Sequence, residues 1–264
     1  MTKLMIQLKS KKYVNKKKTD TNDLLIYSRP YTFFKPDYNS VVPRDIYQTW
    51  FTKDLPFKMR ERVETLKRQN PRFNHYLYDD NDCREFIKTH FKSDVLEAYD
   101  RLIPGAYKAD LWRLCILFIN GGIYLDIKLN CINGFKLIEL TESEHFVLDR
   151  PPKTIYNALM ACKKGNVFLY KCIRKIVENV KTGFYGDSPL HPTGPGLLGS
   201  VMLNNGLNIN IDILHYEGGG LLIYKNRFII STEYNGYNAE RSALYNNNNT
   251  QRYDKLWESK TIYK

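Results

Sequence analysis

One continuous apolar block in the middle of the chain limits the possible folds most strongly. In the segment 107–119, apolar side chains recur at i, i+3, i+4 and i+7, which predicts a helix with one buried face. These side chains are Leu111, Leu114, Cys115 and Phe118. Gly121 and Gly122 end the predicted helix, and the apolar run 123–127 then predicts a buried strand. A helix that leads directly into a buried strand is the repeating unit of an α/β domain.

Further segments of both kinds alternate from residue 41 onwards. Strand patterns cover 41–50, 73–78 and 144–148, helix patterns cover 57–69, 79–91 and 166–181, and a hairpin or meander pattern covers 215–230. The asparagine run 246–249 predicts a polar loop. We therefore predict an α/β domain with a largely parallel sheet, in which ligands bind outside the carboxyl ends of the strands.

The charge is distributed unevenly. The chain has a net charge of +12, and residues 1–20 contain seven lysines against the single acid Asp20. An excess of positive charge favours anionic partners such as nucleic acid, membrane surfaces or phosphorylated small molecules. Because half of the charge lies in the first twenty residues, the rest of the chain is only mildly basic. That suits a small diphosphate better than a nucleic-acid polymer, so we expect no specific nucleic-acid partner.

Residues 1–40 are predicted to form a basic tail or extended arm, because Pro30, Pro36 and Pro43 break regular structure there and just beyond it. The tail is either a solvated segment or a docking segment for anionic surfaces. The segment 41–264 is then about the size of one domain. No apolar signal segment is readable, and the longest uncharged apolar stretch, 114–125, is too short for a membrane span of about 20 residues.

The cysteine spacing and the absence of several motifs exclude further classes of protein. The five cysteines contain no Cys-x-x-Cys pair, which indicates buried thiols in a reducing compartment and makes a zinc site improbable. P-loop, His-Glu-x-x-His and Gly-x-Ser-x-Gly motifs are absent. We expect a cytoplasmic protein that is not secreted, located in the host cytoplasm or the virion if the source is a virus.

Three charged residues within the central block are candidates for chemistry. Asp110 and Arg113 are three residues apart and therefore share a face of the predicted helix. Asp126 ends an apolar strand, where a carboxylate is costly unless it is paired or coordinates a ligand. Spacing alone leaves two interpretations open: a structural ion pair with a capping aspartate, or a binding site.

The order of these residues resembles the donor-binding core of DXD-containing glycosyltransferases of the family-32 type. This group is related to yeast initiating mannosyltransferases, and the same residue order also resembles the catalytic domains of large clostridial glucosylating toxins. The resemblance rests on Asp110-x-x-Arg113, on Gly121-Gly-x-Tyr124-x-Asp126, and on four shorter pieces in family order. Those pieces are Ile46-Tyr-Gln-Thr-Trp50, Tyr76-Leu-Tyr-Asp79-Asp80, Asn157-Ala158 and Thr193-Gly194-Pro195.

The resemblance implies a GT-A fold, which is a Rossmann-like, single nucleotide-sugar-binding domain with a mixed central sheet. It also implies transfer of a sugar from a UDP- or GDP-sugar to a hydroxyl of a glycan or glycoconjugate, with retention of configuration through front-side transfer. Asp110, Arg113 and Asp126 would be the catalytic residues that hold the donor sugar, Asp126 also facing the ribose and a metal. The remaining donor-binding positions would be Gln48, Thr49, Trp50, Tyr124 and Lys128, with Trp50 stacked on or beside the base.

One position departs from the family pattern. The second acid of Asp-x-Asp normally ligates Mn²⁺ or Mg²⁺, and here Lys128 occupies it. Asp126 could still hold a metal with help from the C-terminal segment. Alternatively, Lys128 supplies the positive charge and the enzyme needs no metal. In the third alternative the chain is an inactive glycosyltransferase-like module, and a basic nucleic-acid or anionic-surface binding protein is the alternative from a different class.

Weaker candidates are predicted for the acceptor side and for a lid. Each has a structural alternative: a turn for Asp149, a structural histidine for His191, and core packing for Trp257. Thr193 and Gly194 belong to a turn that opens a helix near the acceptor. The segment 240–264 is a possible C-terminal lid, by analogy with relatives that close the donor site with an aromatic or histidine element.

Overall fold

A computed structural model describes residues 21–149, 154–203, 211–216, 218–247 and 251–264. The helices are α1 (Thr21–Tyr27), α2 (Phe57–Gln69), α3 (Asp80–His90), α4 (Ser93–Arg101), α5 (Gly105–Asn120), α6 (Val167–Thr182), α7 (Pro195–Leu203), α8 (Tyr237–Asn247) and α9 (Tyr253–Glu258). The strands are β1 (Asp45–Thr49), β2 (Asn74–Tyr78), β3 (Gly122–Leu125), β4 (Asn130–Cys131), β5 (His145–Leu148), β6 (Ile155–Cys162), β7 (Ile213–His215), β8 (Leu221–Tyr224) and β9 (Arg227–Ser231). The first twenty residues of the basic arm lie outside the described residues.

The described strands form one mixed sheet in the order β2-β1-β3-β6-β5-β7-β8-β9-β4. β1 is parallel to β2 and β3, and β5 is parallel to β7, whereas the other five pairings are antiparallel. The prediction of a largely parallel sheet is therefore wrong. Parallel neighbours need a crossover of a dozen or more residues, and the sequence between β5 and β6, or between β8 and β9, is much shorter. The mixed sheet implied by the family resemblance is confirmed.

Most of the predicted elements are present. α2 has the predicted bounds, and α3 begins at a capping box in which the Asp79 and Asp82 side chains each accept from the other residue's backbone N–H. The predicted loop at 246–249 is wrong at its start, because α8 continues through Asn247. Asparagine is a weak helix former, and here the packing of Tyr237 at the start of the helix outweighs that propensity. Residues 248–250 lie outside the described residues.

Two glycines bring β3 close to β1. Gly121 and Gly122 have φ angles of 69° and 104°, which side chains other than glycine rarely adopt. A Cβ on Gly122 would lie 2.7 Å from the backbone oxygen of Asp45. The close approach allows β1 and β3 to pair in parallel, so that Thr49 and Asp126 end up at the same edge of the sheet.

The described part of the arm is packed on the domain. Tyr31 is buried, its ring meets Phe135 edge-on at 4.9 Å, and its hydroxyl donates to Glu139. All five cysteines are buried free thiols. Among the residues the structure describes, none of the helices is both long and apolar enough to cross a membrane.

Candidate active site

A cleft of about 620 Å³ opens at the carboxyl ends of β1 and β3. Thr49 and Trp50 line it from the end of β1, and Asp126 and Lys128 line it from the end of β3. The N-terminal half of α5 and residues of β6 form a second wall, and α8 and the segment 251–253 form a third. The cleft therefore lies where ligands bind in α/β sheets.

Asp110 is the buried acceptor of this site, with 8% of its surface exposed. Its Oδ1 accepts from Nδ2 of Asn157 at 2.8 Å, and its Oδ2 accepts from the Thr193 hydroxyl at 2.8 Å. Nη2 of Arg113 lies 3.3 Å from Oδ1. Three elements that are distant in sequence, α5, β6 and the turn before α7, thus converge on one carboxylate.

Arg113 joins this carboxylate to the second one. Its Nη1 lies 3.3 Å from Oδ1 of Asp126 and donates to the backbone oxygen of Asn157 at 2.9 Å. The guanidinium carbon lies 4.4 Å from the ring centroid of Tyr124, a cation–π distance. The Tyr124 hydroxyl donates to Oδ1 of Asp126 at 2.9 Å. The side chain of Asp126 is therefore fixed, although 29% of it stays exposed.

The electrostatics of the network act differently on its acid and its base. Burial raises the pKa of Asp110, and Arg113 with the donors Thr193 and Asn157 offsets only part of that rise. Burial acts to lower the pKa of Arg113, yet Tyr124, Asp126 and Asp110 outweigh it and the pKa is raised. The guanidinium therefore remains a cation that two carboxylates share, and the site presents acceptors of fixed orientation to the cleft.

Gln48 is placed behind the cleft rather than on its surface. It is fully buried, its Nε2 lies 3.4 Å from the backbone oxygen of Asp126, and its Oε1 lies 2.8 Å from Nε2 of His75. Because an amide oxygen accepts, the imidazole donates through Nε2. Gln48 is thus outside the cleft lining and supports the backbone that carries Asp126.

The burial of His75 makes the stability of the fold sensitive to acid. Burial, assisted by the charge of Lys67, lowers the pKa of His75 to about 4. Below about pH 6.5 the unfolded chain takes up a proton that the folded chain does not, so stability falls as the pH drops towards 4. We expect His75→Gln to remove about 1–2 kcal/mol of this acid-dependent loss. Urea unfolding of both chains at about pH 7 and pH 5 measures how much free energy of unfolding each loses between the two pH values. The exposed His90→Gln serves as control, and an unchanged pH slope in His75→Gln contradicts the prediction.

The other sequence-predicted residues fall into two groups. Thr49, Trp50, Tyr124, Lys128, Asp149 and Gly194 line the cleft together with Asp110, Arg113 and Asp126, and Thr193 contacts Asp110 from behind. His191 and Trp257 lie outside the lining that the described residues form. Nδ1 of His191 accepts from the backbone N–H of Asp187 at 3.0 Å, and Nε1 of Trp257 donates to the backbone oxygen of Tyr185 at 2.8 Å.

Sequence reasoning proposed the segment 240–264 as a possible lid but did not identify the side chains that form the third wall of the cleft. Tyr237, Arg241 and Tyr245 line it from successive turns of α8, and Arg252 and Tyr253 line it from the start of α9. The spacing of the first three at i, i+4 and i+8 could have revealed a shared helix face. The family pattern includes Asn157 without predicting a role for it, whereas its amide donates directly to Asp110.

The donor set fits a divalent cation poorly. Mg²⁺ and Mn²⁺ prefer oxygen ligands, mainly carboxylates. The segment 126–128 offers only the carboxylate of Asp126, whose Oδ1 is already engaged by Arg113 and Tyr124, and it adds the ammonium of Lys128. Within the described ranges no group of three or more His, Cys, Asp or Glu side chains is arranged to hold a metal ion.

Comparison with known proteins finds similar glycosyltransferases. Residues 56–145 match the family model described as a glycosyltransferase sugar-binding region containing a DXD motif. Inositol phosphoceramide mannosyltransferase 3 of Schizosaccharomyces pombe is 31% identical over 138 residues, 52% of this chain and 38% of the relative. The initiation-specific alpha-1,6-mannosyltransferase of Candida albicans is 32% identical over 124 residues, 45% of this chain and 31% of the relative.

A solved structure shows the same fold. The PaToxG glycosyltransferase superimposes with a TM-score of 0.50 and 19% identity, covering 61% of this chain and 68% of that chain. The chain spans only about a third of the length of the two mannosyltransferases it matches. Residues 56–145 of the chain thus resemble the sugar-binding region of DXD glycosyltransferases, and the chain carries that region on a GT-A fold.

Proposed function

We propose that the chain transfers a hexosyl group from a UDP- or GDP-sugar to a hydroxyl of a glycan or glycoconjugate. One observation carries the proposal: the buried network of Asp110, Arg113 and Asp126 forms part of the wall of the cleft at the carboxyl ends of β1 and β3. That network lies within the matched region 56–145. The two relatives named above are mannosyltransferases, which makes mannosyl donors the first to test.

The fixed carboxylates suit the binding of a donor sugar. Sugar hydroxyls are donors, and the carboxylates of Asp110 and Asp126 are oriented acceptors beside a partly exposed cleft. Arg113 holds both carboxylates in place, so little reorganisation is needed when the sugar binds. The indole of Trp50 lines the cleft, and its buried Nε1 has no hydrogen-bond partner in the described structure. We place the nucleotide base beside this ring.

The proposed reaction retains the anomeric configuration. The acceptor oxygen attacks the anomeric carbon on the face that the diphosphate leaves, so the new glycosidic bond forms as the bond to the diphosphate oxygen breaks. The acceptor proton passes to the departing diphosphate, and no dedicated general base is required. Positive charge near the diphosphate and a fixed sugar are then the main demands on the protein.

A screen of UDP- and GDP-sugars tests the proposal. We expect release of the nucleoside diphosphate from at least one donor, measured without and with added acceptor glycans and with Mn²⁺ or EDTA. If no donor is bound or turned over under any of these conditions, the proposal is wrong. Binding without turnover would indicate an inactive glycosyltransferase-like module instead.

The screen needs a second experiment, on DNA binding, because the chain is basic. Salt-dependent binding of random DNA that survives deletion of residues 1–20 would favour a nucleic-acid binding protein over the enzyme. Loss of DNA binding on that deletion would show that the seven lysines of the tail cause it. Sugar-nucleotide turnover should be the same in the two chains.

A further inference from the structure

Two cationic side chains meet at one aromatic ring on the wall of the cleft. Nζ of Lys128 lies 5.3 Å from the ring centroid of Tyr237, and the guanidinium carbon of Arg241 lies 5.2 Å from the same centroid. All three residues line the cleft. Lys128 comes from the loop after β3, and Tyr237 and Arg241 lie one turn apart on α8. The fold therefore places two positive charges in the cleft that Asp126 also lines.

The part of the chain that the structure describes gives neither of these charges an ion-pair partner. Within the described residues neither Lys128 nor Arg241 forms an ion pair, and Arg241 donates through Nη2 to the neutral amide oxygen of Asn238 at 3.0 Å. Nε of Arg241 is buried and has no hydrogen-bond partner among the described residues. Burial, followed by Asp126, raises the pKa of Tyr237, and Arg241 offsets only part of that rise through its charge and a hydrogen bond, so the phenol remains neutral. An anionic ligand in the cleft would give the free guanidinium N–H an acceptor.

We propose that Lys128 and Arg241 bind the diphosphate of the donor and supply the charge that a divalent cation supplies in Asp-x-Asp relatives. The inference rests on the proposed function, because it names how that donor is held. A diphosphate linked to a nucleoside and a sugar carries two negative charges at neutral pH, and the two side chains carry two positive charges. Lysine acts on phosphate as a point charge, and arginine can bind two oxygens in its plane.

The same two residues would assist the reaction step. The negative charge on the diphosphate grows as its bond to the anomeric carbon breaks, and cations already in place stabilise that charge without reorganisation. The position of Lys128, two residues after Asp126, puts its ammonium where the family has its second carboxylate. With lysine instead of the second carboxylate, the positive charge comes from the protein rather than from a bound cation, and we infer that it acts at the same place.

Calorimetric titration of the full chain with UDP and GDP, in EDTA and in Mn²⁺, tests the inference. We expect at least one nucleoside diphosphate to bind in EDTA, with less than about a twofold gain from Mn²⁺. Lys128→Ala and Arg241→Ala should each weaken binding by about tenfold, the size expected for losing one charge-assisted contact. For the matching nucleoside monophosphate, the same alanine substitutions should lower the affinity less, because the outer phosphate that the two side chains would contact is absent.

Matched variants separate charge from folding. Lys128→Arg should retain most of the affinity, and the exposed Lys92→Ala should leave it unchanged. Lys128→Asp, which restores Asp-x-Asp, should bind only weakly in EDTA. Binding by the natural chain that requires Mn²⁺, or unchanged binding by both alanine variants, overturns the inference while leaving the proposed function intact. Absence of binding to any nucleoside diphosphate or sugar nucleotide in either condition overturns the proposed function and this inference with it.

Discussion

Replacing Asp126 by asparagine is expected to lower kcat/KM for sugar transfer by about 10²–10³-fold. The amide keeps an oxygen for the Tyr124 hydroxyl, which now donates to Oδ1 at 2.9 Å, so the local geometry should persist. What disappears is the negative charge that orients donor hydroxyls and balances Arg113 at 3.3 Å. Because 29% of the side chain is exposed, the loss of charge should affect activity more than stability.

The measurement compares steady-state transfer with thermal unfolding of the same preparations. Asp54→Asn is a suitable control, since the side chain of Asp54 is 92% exposed and pairs only with Arg60 at the surface among the described residues. It should leave kcat/KM within about twofold, as most exposed substitutions do. Turnover by Asp126→Asn equal to that of the natural chain would show that the carboxylate is not part of the chemistry.

The central block could be predicted because its signals are local. A helical apolar stripe, two glycines and an apolar strand that ends in Asp126 specified α5, the tight turn and β3 from one short stretch of sequence. The two φ angles above +60° at Gly121 and Gly122 are the structural reason that this turn needs glycine. The shared helix face of Asp110 and Arg113 was also visible from their spacing.

The rest of the site depends on contacts between distant parts of the chain. β6 contains alanine, leucine and methionine, which favour helices, and its strand conformation comes from pairing with β3 and β5. The contact between Asn157 and Asp110 spans 47 positions, and α8 meets the loop after β3 across more than a hundred. The position of Gln48 behind the cleft could not be predicted for the same reason, since its partner His75 lies on the neighbouring strand. Spacing within one segment cannot reveal such pairs.

The largest effect on stability is expected at Arg113. Replacing it by methionine keeps much of the side-chain volume but leaves the buried carboxylate of Asp110 without its cation. Removing one partner of a buried ion pair typically costs about 3–5 kcal/mol, because the remaining charge has lost its compensation. We therefore expect Arg113→Met to lower the free energy of unfolding by about that amount, measured by urea titration, and to abolish transfer.

A double variant identifies the cause of that loss. Asp110→Asn alone should cost less, because an amide can still accept from Asn157 or Thr193 and carries no charge to desolvate. If the uncompensated charge is the cause, Arg113→Met combined with Asp110→Asn should be about 1–2 kcal/mol more stable than Arg113→Met alone. Additive losses would instead assign the cost to packing of the guanidinium against Tyr124, at 4.4 Å. Transfer should remain absent in the double variant, because the ion pair and the carboxylate of Asp110 are both gone even where the fold is restored.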